Sequence, residues 1–179
     1  MDDAPSRGRR RCDALADMTA AARFDLTGKV AVLTGAAGLL GRHLARGLAE
    51  HGATLALCDV DGDGVRGLAA EIGRGATAHA CDVGDAASVR RAVDSIVAAH
   101  GRIDVLLNNA ATKTADLGAF FASVEDYAPE TWREVMRVNV DGMFLVAQAV
   151  GPVMRRGGGG SIIQTSSIYG LVAPDQRIY

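Results

Sequence analysis

The chain has 179 residues, 49% of them hydrophobic and 22% charged, with 22 glycines and only 4% aromatic residues. That is the length and composition of one globular domain, and the abundance of small residues suits helices packed closely on a sheet better than an aromatic-rich all-β core. A formal net charge of -2 excludes a global basic field for nucleic acid, and with no run of about 18 apolar residues no helical membrane span is expected.

Residues 1–23 read as a solvated, disordered tail. Arg7, Arg9, Arg10 and Arg11 are not followed by the apolar stretch of a secretory signal. Asp2, Asp3, Asp13 and Asp17 argue against a transit peptide, and Met18 is an alternative start. Patterned sequence begins near Phe24. The apolar run 29–35 (KVAVLTG) predicts a buried strand ending in glycine. Leu40, Leu44, Ala45 and Leu48 then recur at helical spacing, with His51-Gly52 as the stop. A second strand (ATLALCDVD), a weak glycine-containing helix and a third strand (ATAHACDV) follow.

Val89, Val93, Ile96 and Val97 mark one face of the next helix, which ends at His100-Gly101. His51 and His100 are expected to cap helix carbonyls, whereas His43 and His79 have no partner pattern. IDVLLNNA is a fourth strand, 112–128 a loop with possible short structure, ETWREVMRVNVDGMFLVAQAVGPVMRR one long helix and SIIQTSS a fifth strand. Strict strand–helix alternation predicts an α/β fold: a Rossmann-like, doubly wound parallel sheet with helices on both faces.

Three cysteines, Cys12, Cys58 and Cys81, form no CxxC pair and no metal-ligand spacing. They are expected to be reduced thiols in a cytoplasmic protein, with no metal site. Acyl and phosphoryl transfer are disfavoured, because neither GxSxG nor GxxxxGK[ST] occurs.

Between the first strand and helix lies TGAAGLLG, with Gly35, Gly38 and Gly41. A diphosphate needs bare backbone at such a junction, since a side chain would keep it from the N–H groups at the helix N-terminus. The flanking strand and helix strengthen a glycine triplet that would be weak alone. Asp59 ends the second strand, where a carboxylate can accept from the adenosine ribose hydroxyls. Asp61 and Asp63 follow, with no cation in the run before Arg66, so NAD is favoured over NADP. Asp82 is a candidate for the adenine edge. Asn108 and Asn109 stand at the strand edge where open parallel sheets contact ligands, or else cap loop backbone.

TGAAGLLG, Asp59, the Asp of CDV, NNA, Asn139 in RVNVDG and GGGGSIIQTSS, in this order, resemble the short-chain dehydrogenase/reductase family from about Phe24 to Ser167. The resemblance implies an NAD-binding Rossmann domain over 24–179, with Thr34, Leu40, Val83, Asn109 and Ala110 among the cofactor contacts. It implies hydride transfer between NAD(H) and a small-molecule alcohol/carbonyl substrate, in proteins that usually form homo-oligomers. It places Asn139 in a proton relay and Ser167, with Ser166 as rival, on the substrate oxygen. The family's general acid/base is a tyrosine in a YxxxK pattern. An unperturbed phenol is a poor base at neutral pH, and a lysine on the same helix face lowers its pKa.

Tyr169 stands too close to Ser167 for that role, and Tyr179 fits only if Ser166 is the serine. The chain is therefore expected to be interrupted before the catalytic helix, with the fifth strand an unpaired edge and little or no activity. TGxxGxxG spacing, Ala111 in NNAA and a long 112–127 segment depart from the commonest pattern, and Phe120 and Phe121 either line a pocket or pack the loop. The alternatives are a non-catalytic NAD(H)-binding module and a sugar-nucleotide epimerase-like enzyme, the latter suggested by the glycine spacing.

Overall fold

The computed structural model describes residues 20–171. Its sheet has five parallel strands in the order β3-β2-β1-β4-β5. The apolar runs become β1 (Val30–Thr34), β2 (Thr54–Asp59), β3 (Thr77–Ala80), β4 (Val105–Asn108) and β5 (Ser161–Gln164). β1 is buried along its whole length, as a central strand covered on both faces must be. The chain builds outward from β1 to β3, then crosses back to set β4 on the other side of β1. That reversal opens a crevice at the carboxyl ends of β1 and β4, where doubly wound sheets take ligands.

Successive side chains of a strand point to opposite faces, and the core divides accordingly. Val32, Ala56, Cys58 and Leu106 face α4 (Ala86–His100) and α7 (Gly142–Arg156). Ala31, Leu33, Leu55 and Leu57 face α2 (Leu39–Glu50) and α3 (Gly62–Ile72). Burial of Val89, Val93 and Ile96 matches the expected face of α4. Asp85 caps that helix through the Ala87 and Ser88 N–H groups, and Gly101, at φ 72°, ends it.

The expected face of α2 is corrected. Its buried residues are Gly41, Ala45 and Ala49, whereas Leu40 is 65% exposed and Leu44 37%. Near the preceding turn the helix lies so close that only small residues fit beneath it, which turns Leu40 and Leu44 outward, whereas Ala45 and Leu48 lie toward the core as expected, Leu48 half-buried. The last part of the expected tail also differs: Ala20–Arg23 form a short helix, α1.

The expected single long helix is divided. α6 (Pro129–Met136) runs into a π-helical turn, Arg137–Asp141, before α7 continues. A π turn inserts an extra residue and often marks a functional position; Asn139 lies within this one. In the preceding loop Asp116 caps a short helix, α5 (Leu117–Phe120). The Phe120 and Phe121 rings meet edge to face at 5.0 Å, which is loop packing.

His100 does not use its ring on a helix carbonyl. The ring Nε2 atoms of His79 and His100 each lie 2.8 Å from the Thr77 hydroxyl. Burial lowers both imidazole pKa values, and His100 adds to the effect on His79. Cys58 and Cys81 are free and buried, and burial pushes both thiols up, so neither is a thiolate nucleophile at neutral pH. β5 is exposed along its whole length and pairs with β4. Cys12, Met18 and Tyr179 lie outside the described residues. No helix among the described residues is long and apolar enough to cross a membrane, and no group of metal-ligating side chains occurs among them.

Candidate functional site

At the β1–β4 crevice lies a cleft of about 860 Å³. Its walls include Gly35, Gly38, Leu40, Gly41, Asp59, Asp82, Val83, Asn109 and Ala110. Strand ends far apart in the sequence thus meet in one place, as the motif order requires.

The glycine turn is held tightly from inside. Gly35 has φ 66°, and a Cβ there would lie 2.8 Å from the Ala110 Cα. A Cβ on Gly41 would collide with the Gly35 carbonyl oxygen and lie 2.7 Å from the Ala36 Cα. Gly38 is different. Its backbone is extended, at φ -69° and ψ 169°, and a Cβ there would meet only the Gly35 oxygen at 3.4 Å. Neither strain nor protein packing demands glycine at 38; a methyl would instead occupy the cleft wall. Gly38 is also the N-cap of α2 and offers no side-chain cap to the first-turn N–H groups. Those donors and the positive end of the helix dipole suit an anion. Arg42 braces the turn from behind, its Nε donating to the Ala37 carbonyl at 2.8 Å.

Thr34, buried to 2% exposure, joins the turn to the end of β4. Its hydroxyl oxygen accepts from the Asn109 N–H at 3.0 Å and the Ala110 N–H at 3.1 Å. Asn109 replies through Nδ2, donating to the Thr34 carbonyl at 3.1 Å and the Gly35 carbonyl at 3.3 Å. Asn108 is 1% exposed and donates to the Met143 carbonyl and to Gln164 Oε1, tying β4 to α7 and β5. Both asparagine side chains therefore organise backbone.

Asp59 accepts from the Ala37 N–H through Oδ2 at 2.9 Å and from the Asp61 N–H through Oδ1 at 3.0 Å. A carboxylate has about four acceptor positions, so capacity remains on the cleft side. Asp61 caps α3 through the Gly64 N–H. Asp82 is paired with Arg137, and its neighbour Val83 lines the same wall.

Asn139 does not line the cleft directly. Its Oδ1 accepts from the Thr112 N–H at 2.7 Å and its Nδ2 donates to the Thr112 carbonyl at 3.0 Å. This two-point clasp fixes the loop after β4, whose Thr112 is part of the wall. Ser167 follows β5 and is exposed, outside the cleft lining. Sequence reasoning missed Lys113, Glu134 and Arg137 in the wall. Reading the acidic run alone made the ribose end look free of cations; Lys113 and Arg137 reach the same cleft from distant parts of the chain. The charge opposition of Asp82 and Arg137 was present in the sequence, but nothing in it brought them together.

The strand order and the glycine turn define a Rossmann-like α/β protein. The family model described as short chain dehydrogenase matches residues 29–179, and the chain belongs to this family. It is 41% identical over 158 residues to the D-threitol dehydrogenase of Mycolicibacterium smegmatis, covering 87% of this chain and 58% of that protein. It is 37% identical to the NADP-dependent mannitol dehydrogenase of Alternaria alternata, covering 84% of this chain and 57% of that protein. Among solved structures, NAD+-bound xylitol dehydrogenase superposes with a TM-score of 0.77 at 36% identity, covering 84% of this chain and 57% of that one. The chain thus spans less than two thirds of the length of these relatives.

Proposed function

We propose that the cleft holds NAD(H), and that the whole protein transfers a hydride between this cofactor and an alcohol/carbonyl pair, with sugar alcohols as the substrate class. The names of the three relatives support the substrate class. The observation that carries the cofactor reading is Gly38, a glycine with no internal need to be one, standing where a diphosphate meets a helix N-terminus.

The residues present fit the dinucleotide. Gly35, Gly38 and Gly41 leave the backbone bare for the diphosphate, and Leu40 belongs to the same first helical turn. Asp59 accepts the ribose hydroxyls with its remaining lone pairs, while Asp82 and Val83 border the adenine. Thr34, Asn109 and Ala110 hold the turn in place. Bound there, NAD supplies the hydride acceptor. Asn139, through its clasp on Thr112, orders the loop beside the reacting end. A relay water at Asn139 and a substrate contact at Ser167, which stands outside the cleft lining, rest on the family resemblance alone. Asp59 and Asp61 favour NAD, because a 2'-phosphate at the end of β2 would meet two carboxylates. Of the two cations in the cleft wall, Arg137 is engaged by Asp82, and Lys113 belongs to the loop after β4 rather than to the end of β2. The lysines of the sequence are Lys29 and Lys113, and neither follows a tyrosine by four residues. The 179-residue chain is therefore expected to bind NAD but to turn over little.

Thermal melts with each cofactor test this. NAD at about one hundred times its Kd should stabilise the chain by about 2.7 kcal/mol, raising Tm by about 5–10 °C. NADP at the same concentration should give a much smaller shift, and Asp59→Ala should remove most of the NAD-induced shift. The change on adding ligand is the readout, because Asp59 also bonds to two backbone N–H groups and the variant's basal Tm will fall. An equal or larger shift with NADP would overturn the NAD assignment.

A further inference from the structure

Resting on the reading of the cleft as a dinucleotide site, we propose that Arg137 is a positioning residue for purine recognition. It aims the Asp82 carboxylate so that the cleft prefers a 6-aminopurine over a 6-oxopurine.

Asp82 follows β3 and Arg137 opens the π turn, 55 residues later. The Arg137 Nη1 donates to Asp82 Oδ1 at 3.0 Å and to Oδ2 at 2.9 Å. The Gly84 N–H also donates to Oδ1, at 2.9 Å. Behind the carboxylate, the Asp82 N–H donates to the Ser88 hydroxyl at 3.1 Å, anchoring the residue to the start of α4. Each carboxylate oxygen has about two acceptor positions. Oδ1 is thus filled by its two donors, while Oδ2 holds one and keeps one position open. The pair stands in the cleft wall beside Val83.

A carboxylate with one open acceptor position complements an exocyclic amine, which donates. It opposes a 6-oxo group, which also accepts. Without the guanidinium, rotation about the Asp82 side chain would let either oxygen face the base or turn to solvent. The arginine itself is held over Gly84, where an added Cβ would lie 2.8 Å from the Arg137 Cζ and 2.9 Å from its Cγ. Glycine at 84 therefore makes room for the arm that sets Asp82. The side chains of Arg137 and Asp82 are 44% and 38% exposed, so their pairing is a surface contact whose removal leaves the fold standing.

The test compares NAD with nicotinamide hypoxanthine dinucleotide by calorimetric titration of the 179-residue chain. The wild type should bind NAD about tenfold more tightly, as expected for one hydrogen bond to a charged acceptor. In Arg137→Met the ratio should fall to within about twofold, mainly through weaker NAD binding, and Arg137→Lys should restore part of it. Asp82→Asn gives an independent check: its amide can present a donor to the base, and the preference should also collapse. If Arg137 serves only structure, or stacks on the base, Arg137→Met will weaken both dinucleotides equally and leave the ratio unchanged, which overturns the proposal. So would a wild type that does not discriminate between the two. Binding of neither dinucleotide by the folded wild type would instead overturn the cofactor reading itself.

Discussion

Gly41→Ala is expected to destabilise the chain by about 3 kcal/mol or more, because the added methyl meets backbone rather than a movable side chain. The Gly35 carbonyl and the Ala36 Cα stand where it would go, and both belong to the turn that joins β1 to α2. Relief requires α2 to lift from the sheet, which would uncover Ala45 and Ala49 as well. Folded domains are stable by only about 5–15 kcal/mol, so this single methyl removes a large share. Gly47→Ala supplies the control on the same helix. A Cβ at Gly47 meets nothing within 4 Å, and the change should stabilise by about 0.5–1 kcal/mol through helix propensity alone. Urea titrations of the two variants should move their midpoints in opposite directions. A neutral Gly41→Ala would mean that the close approach of α2 to the turn is not a constraint on the fold.

Thr34→Val is the second large effect. Valine keeps the shape of threonine but removes the oxygen that accepts from the Asn109 and Ala110 N–H groups. Both donors stand in partly buried backbone, and each donor left without a partner costs about 1–3 kcal/mol. A loss of about 2–4 kcal/mol is expected, lowering Tm by roughly 5–15 °C for a chain of this size. Thr34→Ser retains the hydroxyl and should recover most of that loss. If valine and serine prove equally stable, the hydroxyl does not hold the end of β4 to the glycine turn.

The alternation of strands and helices was legible because β1 and β2 are short continuous apolar runs, as strands covered on both faces must be, while α4 buries residues at helical spacing. The placement of the glycine turn after β1 and of Asp59 at the end of β2 was legible, because spaced glycines between an apolar strand and a helix mark that junction. The outward turn of Leu40 and Leu44 was not. Helical periodicity reports that a face is apolar; it does not report that Gly41 brings the first turns of the helix so close that leucine no longer fits beneath them. Nor was the π turn legible. The family resemblance pointed to Asn139, but its clasp on Thr112 is a long-range contact that no local pattern encodes. The cations of the cleft were missed for the same reason, since Lys113 and Arg137 are separated in sequence from the acids they accompany. His79 looked unpartnered because its bond to Thr77 depends on the ring rotamer, which sequence does not specify.

Among the glycines of the turn, Gly38 separates binding from folding. Calorimetric titration of NAD into the wild-type chain and into Gly38→Ala therefore tests the dinucleotide cleft most directly. The variant should melt within a few degrees of the wild type, since its methyl makes only an ordinary contact with the protein and the change of N-cap costs about 1 kcal/mol. Its Kd for NAD should rise about tenfold or more, because the methyl stands where the diphosphate must approach. Equal affinity in the two proteins, or no heat of binding from a folded wild type at millimolar NAD, would contradict the assignment.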